Sequence, residues 1–219
     1  MFYGGTSEPD VWRDLDAYLS RTFSKVTGEE LVIACTCIDS AGHSTDAVYK
    51  FCKPRTRRRI FPIVGRGTYG MPSVRKPSRN NRYRVPLFTL GVSTIKGTLH
   101  TRLKASKGEG GYCHFPNRQD TVYDEIYFAG LLSERMVIRR GRGRELVRWE
   151  LRDSKTRNEP LDCRVYAMGA YEILNPDLRR YAAGLHKKEY NHGTSLLNES
   201  KPKAPAVKKR TFFRRGFSL

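Results

Sequence analysis

LVIACTCIDSAGHST, Leu31–Thr45, passes from an unbroken run of small and β-branched apolar residues into a polar turn at a single residue, Asp39. Such a run bounded by polar residues predicts a buried strand, with a carboxylate standing at its C-terminal end. Ser44 or Thr45 then caps a helix whose apolar face is Ala47, Val48 and Phe51. The unit is strand, acid, helix, and α/β sheets keep their chemistry at the carboxyl ends of strands.

The rest of the chain extends this α/β pattern. Upstream, within a flanking segment of residues 1–30, Val11, Leu15, Tyr18 and Leu19 recur at helical spacing. Downstream come a basic loop over Lys53–Arg59, a strand over Ile60–Val64, a long basic loop over residues 65–84, and a strand over Val85–Val92. A helix over Ser93–Lys104 follows, then a short strand over Gly110–Pro116 and a helix over Thr121–Ser133 opened by a Thr121/Asp124 capping box. Alternation predicts a hairpin from Met136–Arg140 and Arg144–Arg152, with a cationic tip. Asn158 caps the last strong helix, with Leu161, Val165 and Met168 as its buried stripe and Pro176 as its stop.

The 219 residues suffice for one sizeable domain, with 38% hydrophobic content, 12 Tyr and 10 Phe to build a core. We assign it to residues 1–185, followed over 186–219 by a basic, disordered tail. Residues 201–219 carry seven Lys or Arg and no acid. A total of 41 Lys+Arg against 22 Asp+Glu gives a net charge of +19, which calls for a polyanionic partner, nucleic acid first and a membrane surface second. There is no run of ~18 apolar residues and no signal-peptide pattern at the start, so an intracellular protein without a membrane span is expected. Five cysteines without a C-x-x-C pair read as reduced, mostly buried thiols rather than a disulfide framework or zinc ribbon.

Two glycine-rich stretches are excluded as cofactor loops. Gly65-Arg-Gly-Thr-Tyr-Gly70 fits G-x-G-x-x-G, but the prolines after it cannot open a helix onto a pyrophosphate. Lys96-Gly97-Thr98 has the residues of a phosphate loop in the wrong order, so no ATP site is readable.

Charge distribution limits where acid chemistry can lie. Between Asp46 and Glu109 there are 62 residues with 16 Lys or Arg and no carboxylate. That segment grips phosphates: Arg55, Arg57, Arg58, Arg59, Arg66, Arg75, Lys76, Arg79, Arg82 and Arg84 are its DNA-binding candidates, joined by Arg142 at the hairpin tip. Acidic ligands must therefore unite Asp39 or Asp46 with carboxylates from Glu109 onward. Glu159 and Asp162, three apart at a helix start, share a face and are the best placed. Clustered carboxylates repel unless a divalent cation lies between them, and Mg²⁺ or Mn²⁺ prefers such oxygens; in so basic a protein the matching chemistry is phosphodiester hydrolysis. Asp39 as a mere helix cap is the weaker reading, since Ser44 and Thr45 already serve. Asp124 reads first as a cap and His43 first as a turn residue, with auxiliary roles second.

IDSAGHSTDAVYKFCKPR, VPLFTLGVSTIKGTLHTRL, GYCHFP with YDEIYF, and RNEPLDCRVYAMGAYEIL together resemble the C-terminal nuclease domain of the lambda-type phage terminase large subunit, from about Val11 to Leu174. The resemblance implies an RNase H-like nuclease fold, with a central mixed sheet flanked by helices. It implies an enzyme that cuts double-stranded concatemeric viral DNA during genome packaging with a two-metal site, in the bacterial host cytoplasm. The terminase small subunit and portal protein are the partners it implies. By position it makes Asp39 the first-strand acid, Asp162 the acid of the last helix and Lys96 a catalytic lysine at a strand–helix junction. Ser93 departs from the acidic or amide residue common at that junction. The ATPase motor domain of a full large subunit is not readable in this chain, so translocation is not expected of it. The competing readings are a non-catalytic DNA-binding module and an assembly module acting through the tail.

Overall fold

In a computed structural model, residues 5–25, 28–79, 81–116, 122–141 and 144–180 are described. The chain divides at Pro176 into two units, and every element named below belongs to the first. In the second, Asp177 Oδ1 accepts from the Arg180 N–H at 3.0 Å. The tail expected over 186–219 lies outside the described residues.

The central sheet has the order β3 (Thr36–Asp39), β4 (Ile60–Arg66), β5 (Phe88–Gly91), with each neighbouring pair parallel. Parallel strands need crossover segments. α2 (Thr45–Cys52) and a 3-10 helix (Lys53–Arg58) make the first crossover, while the 67–87 segment makes the second. The expected sheet flanked by helices is present, but its named strands are all parallel; antiparallel pairing enters only as isolated bridges, Val74 to Leu90 and Ser78 to Leu87.

The apolar run at 31–38 does not form one strand. Glu30–Val32 is β2, paired antiparallel with β1 (Thr22–Ser24), and Leu31 and Val32 are 40% and 70% exposed. Only Thr36–Asp39 joins the central sheet. An uninterrupted apolar run shows strand propensity but not where the pairing partner changes.

β4 alternates between two cores, as a strand's period of two requires. Ile60 joins Val48, Phe51, Cys52 and Val85, against which Trp12, Leu15 and Leu19 of α1 (Pro9–Leu19) pack. Ile63 joins Leu90 with Ile95 and Leu99 of α3 (Val92–Lys104), Leu131 of α4 (Glu125–Leu131), and Leu161 and Val165 of α5 (Glu159–Leu174). Two glycines set how close α5 comes. A Cβ on Gly169 would fall 2.6 Å from Leu90 Cδ1, and one on Gly130 of α4 would fall 2.7 Å from Pro160 Cγ.

Other expectations are corrected locally. Lys53–Arg58 is helical rather than a loop, ended by Arg59 in the left-handed region at φ 56°. Residues 111–116 form no strand. α4 starts at Glu125, not Thr121, because Asp124 itself is the cap and its Oδ1 accepts from the Tyr127 N–H at 2.8 Å. The hairpin β6 (Glu134–Gly141) and β7 (Arg144–Leu151) begins two residues before the expected start. The described thiols are all free, with Cys52 buried, Cys35, Cys37 and Cys113 half-buried, and Cys163 exposed.

Candidate functional site

Asp39 ends β3 at the carboxyl edge of the sheet. Its Oδ1 accepts from the Ala41 N–H at 2.9 Å, which turns the chain sharply away from the strand. Beside it, buried Ser40 donates to the Ile63 carbonyl at 2.8 Å and Thr45 Oγ1 donates to the Ser40 carbonyl at 2.7 Å. These bonds fix the turn. Asp39 Oδ2 accepts from the Tyr166 hydroxyl at 3.1 Å.

Tyr166 lies one helical turn beyond Asp162 on α5, so the two residues share a face. Asp162 Oδ1 is 3.6 Å from Lys96 Nζ, and its Oδ2 accepts from Asn158 Nδ2 at 3.3 Å. Lys96 Nζ donates at 2.8 Å to both carboxylate oxygens of Glu134, the first residue of β6. Asn158 Nδ2 also reaches Glu134 Oε1 at 3.1 Å. Two groups of polar contacts, Asp39 with Tyr166 and Lys96 with Glu134, Asn158 and Asp162, thus meet on α5 and draw on β3, α3 and β6.

The electrostatics follow from this packing. Burial raises the Asp162 carboxyl above its usual range; Lys96 opposes this, while the charges of Glu134 and Asp39 add to it. The Tyr166 phenol is likewise raised, first by burial and then by the Asp39 and Asp162 carboxylates. Burial, rather than uncompensated negative charge, is thus what holds Asp162 up, since Lys96 offsets the nearby acids. A divalent cation fits this donor set, because Mg²⁺ takes one or two protein carboxylates and fills its remaining positions with water and substrate phosphate oxygens. Among the described residues, no group of three or more His, Cys, Asp or Glu side chains is arranged to hold a metal.

The remaining candidates are distributed as follows. Glu159 is turned outward and paired with Arg157 at 2.6 and 2.9 Å, a contact that lowers its pKa. Asp124 is occupied as the α4 cap, and His43 is exposed in the turn after Asp39. Ser93 is buried and donates to the Gly67 carbonyl at 2.7 Å, tying the end of β4 to α3. Arg55 and Arg58 both grip Asp16 of α1, at 2.7–2.9 Å and 2.6 Å, and so fasten that helix to the body. Arg57, Arg59 and Lys76 are exposed. Arg66 and Arg75 line a groove of about 560 Å³ with Tyr69 and Met71. Arg79, Arg82 and Arg84 line another, about 470 Å³, with Lys53 and Tyr83. Arg142 lies outside the described residues.

An acid at a strand end, a buried lysine on α3 and a second acid on the last helix follow one another in the order in which the nuclease-domain blocks occur in the sequence. Residues 1–182 match the family model described as terminase large subunit gpA, endonuclease domain. The chain belongs to this terminase family. It is 32% identical over 164 residues to the terminase large subunit of Escherichia phage lambda, covering 73% of this chain and 25% of that protein. With the terminase large subunit of Enterobacteria phage P21 it shares 27% identity over 178 residues, 79% of this chain and 27% of that one. The chain therefore spans about a quarter of the length of these two terminase large subunits. No solved structure gives a significant match. No helix among the described residues is long and apolar enough to cross a membrane.

Sequence reasoning missed Glu134 and Asn158 as parts of this cluster. Glu134 satisfied the one available signal, being an acid beyond Glu109, but a hairpin start at Met136 left it outside any element. Asn158 was read as a helix cap; its side chain makes no cap bond and turns to the two acids instead.

Proposed function

We propose that this chain is a metal-dependent endonuclease that cuts double-stranded concatemeric viral DNA during genome packaging. The observation that carries this reading is the convergence of Asp39 and Asp162, from β3 and α5, beside the buried Lys96. Family membership supports the nuclease role. The RNase H-like reading of the fold rests on the family resemblance, and a strand-end acid with a second acid on the last helix agrees with it.

In this account Asp39 and Asp162 would hold Mg²⁺ or Mn²⁺ through hard carboxylate oxygens. Tyr166 fixes one Asp39 oxygen by hydrogen bonding, leaving the carboxylate a single orientation. Asn158 does the same for Asp162. Lys96, buried against Glu134 and 3.6 Å from Asp162, supplies positive charge behind the cluster, which favours the negative charge a phosphodiester gains in the transition state. Arg66, at the carboxyl end of β4, and Arg75, beside β5, line one groove and bind backbone phosphates without reading sequence. The chemistry a bound metal ion would supply there is the activation of water and the stabilisation of the leaving oxygen. By the same reading, the small subunit and portal are partners and the host cytoplasm is the place of action.

The absence of a three-ligand cluster among the described residues, with Glu134 already neutralised by Lys96, favours one second reading: a DNA-binding module without catalysis. Duplex retardation in EDTA, compared with plasmid cleavage after Mn²⁺ addition, separates the two. Binding followed by metal-triggered nicking supports the nuclease. Salt-sensitive binding with intact plasmid at every metal concentration supports the module.

A further inference from the structure

We propose that the β6–β7 hairpin is a DNA-engaging arm, laying its arginine face into the major groove beside the catalytic cluster; the proposal rests on DNA being the substrate, as read above. The foot of the hairpin is part of the cluster. Glu134 is the buried partner of Lys96 and Asn158, the Arg152 N–H closes onto the Ser133 carbonyl at 2.7 Å, and Trp149 packs on His100 of α3 with ring centroids 4.7 Å apart.

From that foot, eight register pairs run from Glu134 opposite Leu151 to Gly141 opposite Arg144. At ~3.4 Å per residue the ribbon extends about 24 Å from the acids. Among the described residues neither edge is paired with a further strand. A two-stranded ribbon has the cross-section that the major groove, about 12 Å wide, admits.

The two faces differ. Glu134, Met136, Ile138 and Arg140 point to the side of Trp149, whose ring meets His100 of α3, while Met136 and Ile138 stay about half exposed. The opposite face carries Arg135 and Arg139 on β6, and on β7 Arg148, opposite Val137. Glu150 is the one acid there, paired with Arg139 at 2.7 Å, and the Arg139 side chain is still 65% exposed. Solubility calls for interspersed signs rather than three arginines to one acid on a narrow strip. An isolated two-stranded hairpin is also marginal in water, which suits an element completed by a partner. Charge selects nucleic acid as that partner, and the shared foot places it where the cut would be made.

The test is duplex binding by fluorescence anisotropy in EDTA across a salt series, with hydroxyl-radical footprinting. It compares wild type, the arm variant Arg135→Thr/Arg139→Thr/Arg148→Thr and a charge-matched control, Arg13→Gln/Arg21→Gln/Lys107→Gln. Threonine keeps strand propensity. Should the triple variant melt early, Arg148→Gln alone is used, with one-third of the effect. We expect the arm variant to lose about tenfold in affinity, lower the salt slope by roughly 2–3 and shorten the footprint on one side, with the control changed far less. Equal losses in arm and control variants would overturn the proposal. So would an arm variant with unchanged DNA binding but altered oligomeric state, which would make the free edge a contact between copies. Because binding is read without metal, a wild-type protein that needs its arm but never cuts refutes the nuclease reading alone. One that cuts but binds without its arm refutes the arm alone.

Discussion

Lys96 and Glu134 form a two-point ion pair in the interior, with Nζ 2.8 Å from each carboxylate oxygen and side chains only 9% and 7% exposed. This pair joins the helix after β5 to the strand that starts the hairpin, and Asp162 lies at its edge, 3.6 Å from the same nitrogen. A buried pair of this kind is costly to break from one side, because the remaining charge stays in the interior without a partner.

Lys96→Met is therefore expected to destabilise the fold by about 3–5 kcal/mol in denaturant unfolding. Lys96→Met/Glu134→Leu recovers most of that loss, since both charges leave together. A single variant costing under about 1 kcal/mol, or a double variant no better than the single, contradicts the pairing.

Asp162 gives the site a pH signature. Its folded pKa lies above the usual carboxyl value, so within that window the native state binds more protons than the unfolded chain. Stability contributed by this group is greatest below pH 3.8 and declines as pH rises through the raised value. Asp162→Asn should flatten that decline in melting temperature measured against pH. In the wild type, metal-dependent cleavage should rise over the same window, because the ligand must be ionised. An unchanged profile in the variant would refute the assignment.

Much of the site was legible in the sequence because chemistry and position coincided there. Asp39 could be placed at a strand end from the abrupt change after Ile38, and Asp162 in the first turns of the last helix from the Asn158-Glu-Pro start. The β2 and β3 division was not legible, since Leu31 and Val32 carry the same propensity whether they face the core or solvent. The partners of the basic segment were not legible either: Arg55 and Arg58 read as free cations, yet a single acid 39 and 42 residues earlier holds both. Pairings over such distances arise from packing, which local pattern does not encode.

Asp16 is that acid, and the hydrogen bonds from Arg55 lead in lowering its pKa to about 2, with Arg58 adding to them. A depressed carboxyl stabilises the native state above the unfolded value of 3.8 and loses that contribution as pH falls toward 2. With these side chains 25–40% exposed, solvent screening leaves about 1 kcal/mol for Asp16→Asn near neutral pH. The difference from wild type should shrink toward pH 2 and vanish below it. Chemical unfolding at both pH values checks it, and a pH-independent difference would show that the ion pairs are not its source.

Tyr166 positions Asp39 rather than touching substrate. Tyr166→Phe should lower Mn²⁺ affinity, measured by calorimetry, by about tenfold, within the range typical for partners of metal ligands, with little change in melting temperature. Unaltered affinity would mean the hydroxyl does not orient the carboxylate.

The central claim is tested most directly by plasmid cleavage in a Mg²⁺ and Mn²⁺ series, comparing wild type with Asp39→Asn and Asp162→Asn, while duplex binding is followed in EDTA. The account predicts metal-dependent nicking by the wild type, abolished by EDTA and by either substitution, with DNA binding retained in both variants. Cleavage at the wild-type rate by either variant would contradict it.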